Sequence, residues 1–308
     1  MREIAEKTAA DYLRDLRFVI SAPFLLKKKP EPDLAGHPET AALLSALEED
    51  AAPLLIWFAD GPPRRLGHYF ERLVVFWLRN LPSVEIIAAN LPLYEEKRTI
   101  GEIDLLFRFE NVLYHIELAI KFYLNTGNPT HAAAYVGPMV KDTLKRKLGR
   151  LYGHQLPLGQ RLAKTPYREE LGIAEVPHPF AFVKGMLFQP LAQGFADDLP
   201  PGISPECSQG IWCCIRELNE ATPLDFTHYR ILSRLGWISS PFQPEELTHG
   251  GLPQFSQEMA AHIDEIPTPH LAALYQGERE VLRLFVTPDN WLLSAREAHP
   301  DEALSDEG

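Results

Sequence analysis

A chain of 308 residues with 45% hydrophobic content is long enough for one large domain or two small ones with a substantial core. Thirty basic against 42 acidic residues leave a formal charge of −12, which excludes coating of nucleic acid or an anionic membrane by overall charge and confines any polyanion site to a local patch. Three cysteines, Cys207, Cys213 and Cys214, give no disulfide framework and lack zinc-ligand spacing, so the expected compartment is reducing and cytoplasmic.

In chain order, MREIAEKTAADYLRDLRF is charged throughout, and no apolar run reaches the ~18 residues of a membrane span, so neither signal peptide nor anchor is expected. A helix is expected at YLRDLRFVI, an exposed loop at KKKPEPDLAGHPET, and a second helix at AALLSALEEDAAPLLIWF before the breaker DGPPRR. In LGHYFERLVVFWLRN, Leu66, Phe70, Leu73, Val74, Trp77 and Leu78 recur at helical spacing, which predicts a buried helix. Three strands follow, VEIIAA, GEIDLLFRF and VLYHIELAI. Next come a basic helix, KDTLKRKLGRLYGHQL, with Leu144, Leu148 and Leu151 on one side, and a strand, FAFVKGMLF. Helix, three strands, helix, strand implies a sheet with helices on its faces. In the last third, GIWCCIREL, YRILSRLGWI and LRLFVTPDNWLL read as strand-like around a helical LPQFSQEMAAHIDEI, and the acidic tail AREAHPDEALSDEG is expected to fray. Cys213 and Cys214 read as core residues beside Trp212.

The third strand carries charge where a half-buried strand is usually quiet. Alternation puts Val112, Tyr114, Ile116, Leu118 and Ile120 on one face and Leu113, His115, Glu117, Ala119 and Lys121 on the other. The preceding strand likewise has Glu102, Asp104, Leu106 and Arg108 opposite Ile103, Leu105 and Phe107. A hairpin turning at Glu110 and Asn111 pairs Phe109 with Val112 and sets Asp104 across from Glu117; a longer loop remains open, because Glu-Asn is not the preferred Asn-Gly turn. Like charges directly opposed are destabilising and need compensation: protonation, a basic neighbour or a divalent cation. Two carboxylates at that spacing with a lysine on the same face suit phosphodiester hydrolysis, in which a metal acidifies a bound water and the lysine steadies developing charge. The competing reading, favoured by the pattern alone, is a salt-bridged cluster without metal on an exposed sheet face.

The block from Glu71 in GHYFERL, through Asp104 in GEIDLL, to Glu117 in HIELAIK resembles the PD-(D/E)XK nuclease superfamily, whose core is helix, three strands, helix, strand. More closely, DLRFVISAPFLL, RTIGEIDLLF, HIELAIKFYL, KLGRLYGHQLPL and RLFVTPDNW resemble the bacterial family labelled DUF1853, a label that assigns no activity. The superfamily resemblance implies an α+β restriction-endonuclease-like core over 61–195. A helical extension at 1–60 and a mixed extension at 196–308 then complete one compact unit. It also implies Mg²⁺ or Mn²⁺ on Asp104 and Glu117, with Glu71 and Glu102 assisting, and DNA or RNA as substrate. The alternative within the same resemblance is an inactive member that binds nucleic acid or a protein partner. At one place the chain departs from the superfamily: Ala119 stands where E-x-K has lysine, and the lysine is Lys121. At about 3.3 Å per residue its Cα is ~13 Å from that of Glu117 instead of ~7 Å, so twist or a bulge has to help. A Glu102–Lys121 ion pair competes for the same ammonium, and Lys141, Lys145 and Lys147 are other possible donors.

Lys141, Lys145, Arg146, Lys147 and Arg150 fall within ten residues of an otherwise acidic chain, either as a phosphate-binding stripe or as a solvated helix face. Tyr152 and Gln155 sit where some superfamily nucleases place polar helix residues. His115 reads as hydrogen-bonded structure and not as a ligand. Glu71 either faces the site or offsets Arg65 and Arg72. No G-x-x-x-x-G-K, G-x-S-x-G or H-E-x-x-H occurs, which disfavours phosphate-loop ATPases, serine hydrolases of that type and common zinc proteases.

Overall fold

The structure is a computed structural model that describes residues 7–27, 32–95, 98–162, 165, 167–173, 175–220, 224–239 and 244–299. Part of the lysine-rich loop, 28–31, and the acidic tail from 300 onward lie outside the described residues.

The first helix, α1 (Ala9–Ser21), opens on a capping box in which Thr8 and Asp11 satisfy each other's backbone donors. The second expected helix is two: α2 (Pro38–Glu49) and α3 (Ala52–Trp57). Pro53 cannot continue a helix, and Asp50 instead accepts from the Ala52 amide at 2.9 Å, starting a new one. The buried helix is α4 (Leu66–Arg79), with Tyr69, Phe70, Leu73, Val74 and Trp77 inside. Three strands follow, β1 (Val84–Glu95), β2 (Arg98–Phe109) and β3 (Val112–Asn125), each longer than its sequence signal. After the two-residue β4 (Tyr135–Val136), the basic helix is only α5 (Leu144–Arg150); it passes through a π-helical turn, Leu151–Gln155, into α6 (Leu158–Leu162) and the short α7 (Tyr167–Glu170). β5 (His178–Pro190) contains FAFVKGMLF as expected.

Three strand-like stretches of the last third are corrected. β6 (Ser208–Cys214) stops before Ile215, where α8 (Ile215–Glu220) begins, because Glu217 accepts from the Cys214 amide at 2.8 Å and Asp289 from the Arg216 amide at 3.1 Å. β7 (His228–Ile231) gives way to a 3₁₀ turn at Arg234–Trp237 once Ser233 caps Gly236. The two-residue β8 (Thr248–His249), the expected helix α9 (Leu252–Glu265) and β9 (His270–Gln276) come next. β10 (Arg279–Thr287) then ends at Pro288, and NWLL starts α10 (Trp291–Ala298), which includes AREA of the supposed tail.

The residues form two compact units interleaved along the chain. The first takes residues up to Phe24, the stretch that ends at Ile120, and Leu148–Lys184; the second takes Leu25–Lys27, Lys121–Lys147 and the chain from Gly185. In the first, β1, β2 and β3 pair antiparallel in that order, with β5 beside β3. Its α4 carries the aromatic core, and Leu158 and Leu162 of α6 pack with Leu93, Ile103, Leu106 and Leu113. In the second, Met186–Pro190 of β5 runs parallel to β6, and β6 parallel to β10, followed by antiparallel β9, β7 and β8. Its core joins Ile211, Cys213, Tyr229, Phe255, Met259, Leu274 and Leu284. Cys213 and Cys214 are buried free thiols, as the sequence suggested, and so is Cys207. Both units mix helices with strands, so the fold is α+β. Among the described residues no helix is long and apolar enough to cross a membrane.

Candidate functional site

The β2–β3 hairpin has the two-residue turn. Glu110 and Asn111 take φ values of 48° and 65°, the paired left-handed conformation that matches strand twist, and the register runs from Phe109–Val112 to Leu105–Ile116. One step beyond, the Leu118 amide donates to Asp104 Oδ2 at 2.8 Å, so the aspartate reaches the β3 backbone beside Glu117.

The charged face is covered at its centre and open at its ends. Gln155 and Gly159, from the π-helical turn and α6, lie against Glu117 and His115, leaving them 1% and 0% exposed, while Asp104 and Lys121 are half-buried and Glu102 is exposed. Glu117 Oε1 lies 2.8 Å from His115 Nε2, and Oε2 accepts from Gln155 Nε2 at 2.6 Å. A carboxylate only accepts, so the imidazole carries its proton on Nε2. Its Nδ1 has no hydrogen-bond partner. Gly159 rests against that nitrogen: a Cβ there would come within 3.0 Å of it. Burial holds the imidazole down to about 4, against the opposing pull of Asp104, so it is neutral near pH 7.

Glu71, half-buried on α4, has its carboxyl pushed up by burial and next by the charge of Asp104, with His68 opposing and Glu102 adding a smaller push. Asp104, Glu71 and the exposed Glu102 therefore share one electrostatic neighbourhood.

Lys121 is the first residue of β3 in the second unit, and its ammonium sits 3.0 Å from Asp142 Oδ2. The Tyr123 hydroxyl donates to the same oxygen at 3.2 Å, and burial followed by Asp142 pushes that phenol far up. Lys121 thus pairs with Asp142, where the sequence had suggested Glu102. Asp142 belongs to a tight turn: Gly137 donates to its carbonyl at 2.8 Å, and Val140 takes φ 52°, a strained value for a β-branched residue, with its carbonyl 2.9 Å from His299 Nε2. Against Lys121 the backbone is equally fixed. Gly185, at φ 143°, occupies a place where a Cβ would overlap the Lys121 carbonyl oxygen.

Of the basic residues, Lys141, Lys145, Arg146 and Arg150 are exposed and Lys147 is half-buried. Tyr152 is exposed, whereas Gln155 reaches Glu117. Asp142 was missed because nothing in its sequence neighbourhood marks it as the partner of a lysine 21 residues earlier. Lys184 was missed too, although a lone charge in FAFVKGMLF was a legible signal. It is buried, its ammonium donating to the carbonyls of Ile20 and Ala22 at the end of α1 and lying 3.6 Å from the Phe24 ring centroid.

The donor chemistry at Asp104 and Glu117 fits a hard, oxygen-seeking cation such as Mg²⁺ or Mn²⁺, which needs one or two protein carboxylates and fills the rest of its shell with water and phosphate. Among the described residues no three His, Cys, Asp or Glu side chains converge as a ready-made metal cage.

Fold and site define an α+β protein with a buried carboxylate, oriented by two hydrogen bonds, next to an aspartate from the neighbouring strand. The chain belongs to the family described as "Domain of unknown function (DUF1853)", which it matches over residues 14–286. No curated protein and no solved structure matches it.

Proposed function

We propose that the chain is a metal-dependent phosphodiester hydrolase of the PD-(D/E)XK type, acting on DNA or RNA. The observation that supports this best is the orientation of Glu117 beside Asp104. Both oxygens of a nearly fully buried glutamate are held by side chains, and the neighbouring aspartate is near enough to raise the pKa of Glu71. In this reading Asp104 and Glu117 hold Mg²⁺ or Mn²⁺, and Glu71 and Glu102 keep the neighbourhood negative. A bound divalent ion supplies an acidified water and a polarised phosphoryl oxygen. The superfamily resemblance assigns Lys121 the orientation of the attacking water; its ammonium is ion-paired with Asp142. Lys141, Lys145, Arg146, Lys147 and Arg150 are assigned phosphate contacts.

A second reading, a nuclease-like protein that binds nucleic acid or a protein without cutting, is favoured by one observation: Ala119 occupies the E-x-K position and Lys121 is ion-paired. Cleavage of labelled DNA and RNA with Mg²⁺ or Mn²⁺ separates the two. Hydrolysis by the wild type that Asp104→Asn or Glu117→Gln abolishes, with folding retained, is the expected result. Undiminished hydrolysis in either variant overturns the assignment. Metal-insensitive nucleic-acid binding that is lost only when Lys145 and Lys147 are reversed in charge supports the second reading.

A further inference from the structure

We propose that His115 is a positioning residue whose task is to orient the Glu117 carboxylate for a divalent cation. The inference rests on the metal-site reading above and adds a residue to it. His115 and Glu117 lie two apart on one strand face, and the ring reaches across that spacing to Oε1 at 2.8 Å. Its other nitrogen is buried with no hydrogen-bond partner, against Gly159. An unsatisfied buried polar atom is destabilising, and a phenylalanine or leucine would fill the same space without that penalty. The one hydrogen bond that distinguishes histidine here ends on Glu117. Gln155 holds the second oxygen at 2.6 Å, so the plane of the carboxylate is set from both sides. An imidazole N–H and an amide orient an anion without cancelling its charge, as a lysine or arginine in the same place would. This is how ligands of bound metals are commonly kept in register.

The test measures Mn²⁺ affinity by calorimetry, with circular dichroism and thermal melts of the metal-free proteins as the control for folding. His115→Gln keeps an N–H donor at the reach of Nε2, His115→Asn carries the same amide one bond too short, and His115→Phe keeps the ring without a donor. Expected are affinity within about threefold of wild type for H115Q and a loss of about 10–100-fold for H115N and H115F. Should H115F fail to fold, the H115Q and H115N pair carries the comparison, since the two differ only in reach. Wild-type affinity in H115N, or equal loss in H115Q and H115N, overturns the positioning role while leaving the metal site intact. Absence of Mn²⁺ binding by the wild type overturns the metal reading itself, and this inference with it.

Discussion

Two charged groups on β3 are treated in opposite ways. Glu117, in the first unit, is buried and held at both oxygens by an imidazole and an amide. Lys121, four residues later and in the second unit, is a third exposed and spends its charge on Asp142. Buried carboxylates pinned by hydrogen bonds have one conformation, whereas an ion pair one-third exposed can exchange partners at little cost. The carboxylate half of the proposed chemistry is therefore preorganised, and the lysine half is the adjustable part.

The largest expected effect lies in the backbone at Lys121. Gly185→Ala places a methyl on the Lys121 carbonyl oxygen at a φ that only glycine takes easily, so a loss beyond about 4 kcal/mol, or failure to fold, is expected in urea melts. A variant of near-native stability would show that the strand is not fixed there, and the contrast would then extend from side chain to backbone.

Lys184 supplies a pH-dependent comparison with the partly exposed Lys121. Burial pushes its ammonium down to about 7 in the folded chain from an ordinary 10.5, with Asp33 opposing more weakly. Between those values the unfolded chain retains a proton that the folded chain has released. Its contribution to stability therefore rises with pH from about 7 to about 10, at up to ~1.4 kcal/mol per pH unit, and is level below about 7. Melts at pH 7, 8 and 9 should show the wild type gaining on Lys184→Met; parallel curves would contradict the burial argument.

Removing a side-chain donor to Glu117 comes next. Gln155→Leu leaves Oε2 without that bond in a closed environment and should cost about 1–3 kcal/mol. A change below 0.5 kcal/mol would show that the carboxylate relaxes toward water. The smallest effect is expected for Asp142→Asn, where a pair one-third exposed contributes about 0–1 kcal/mol. If Lys121 orients the attacking water, this variant should cleave at least as fast as wild type. A strong loss of cleavage would make Asp142 itself part of the machinery.

The hairpin was legible because alternation fixes faces and a two-residue turn fixes register. Phe109–Val112 and every pair to Leu105–Ile116 follow from that alone. The burial of Glu117 was not legible, because it depends on the π-helical turn and α6 laying Gln155, Leu158 and Gly159 over the charged face, and nothing within HIELAIK reports what covers it. His115 was rightly read as hydrogen-bonded, yet its partner two residues away was not named. The switch from strand to helix after Cys214 escaped periodicity because it is set by two acids, Glu217 three residues on and Asp289 73 residues past Arg216, whose backbone contacts the apolar pattern does not report. Pro53 did announce the break between α2 and α3, and reading through it joined two helices into one.

The most direct test is a crystal soaked in Mn²⁺ and measured at the manganese absorption edge. An anomalous peak coordinated by carboxylate oxygens of both Asp104 and Glu117 is the result expected. A well-ordered soak with no peak between them, and Glu117 still held by His115 and Gln155, would contradict a metal-dependent site on this hairpin.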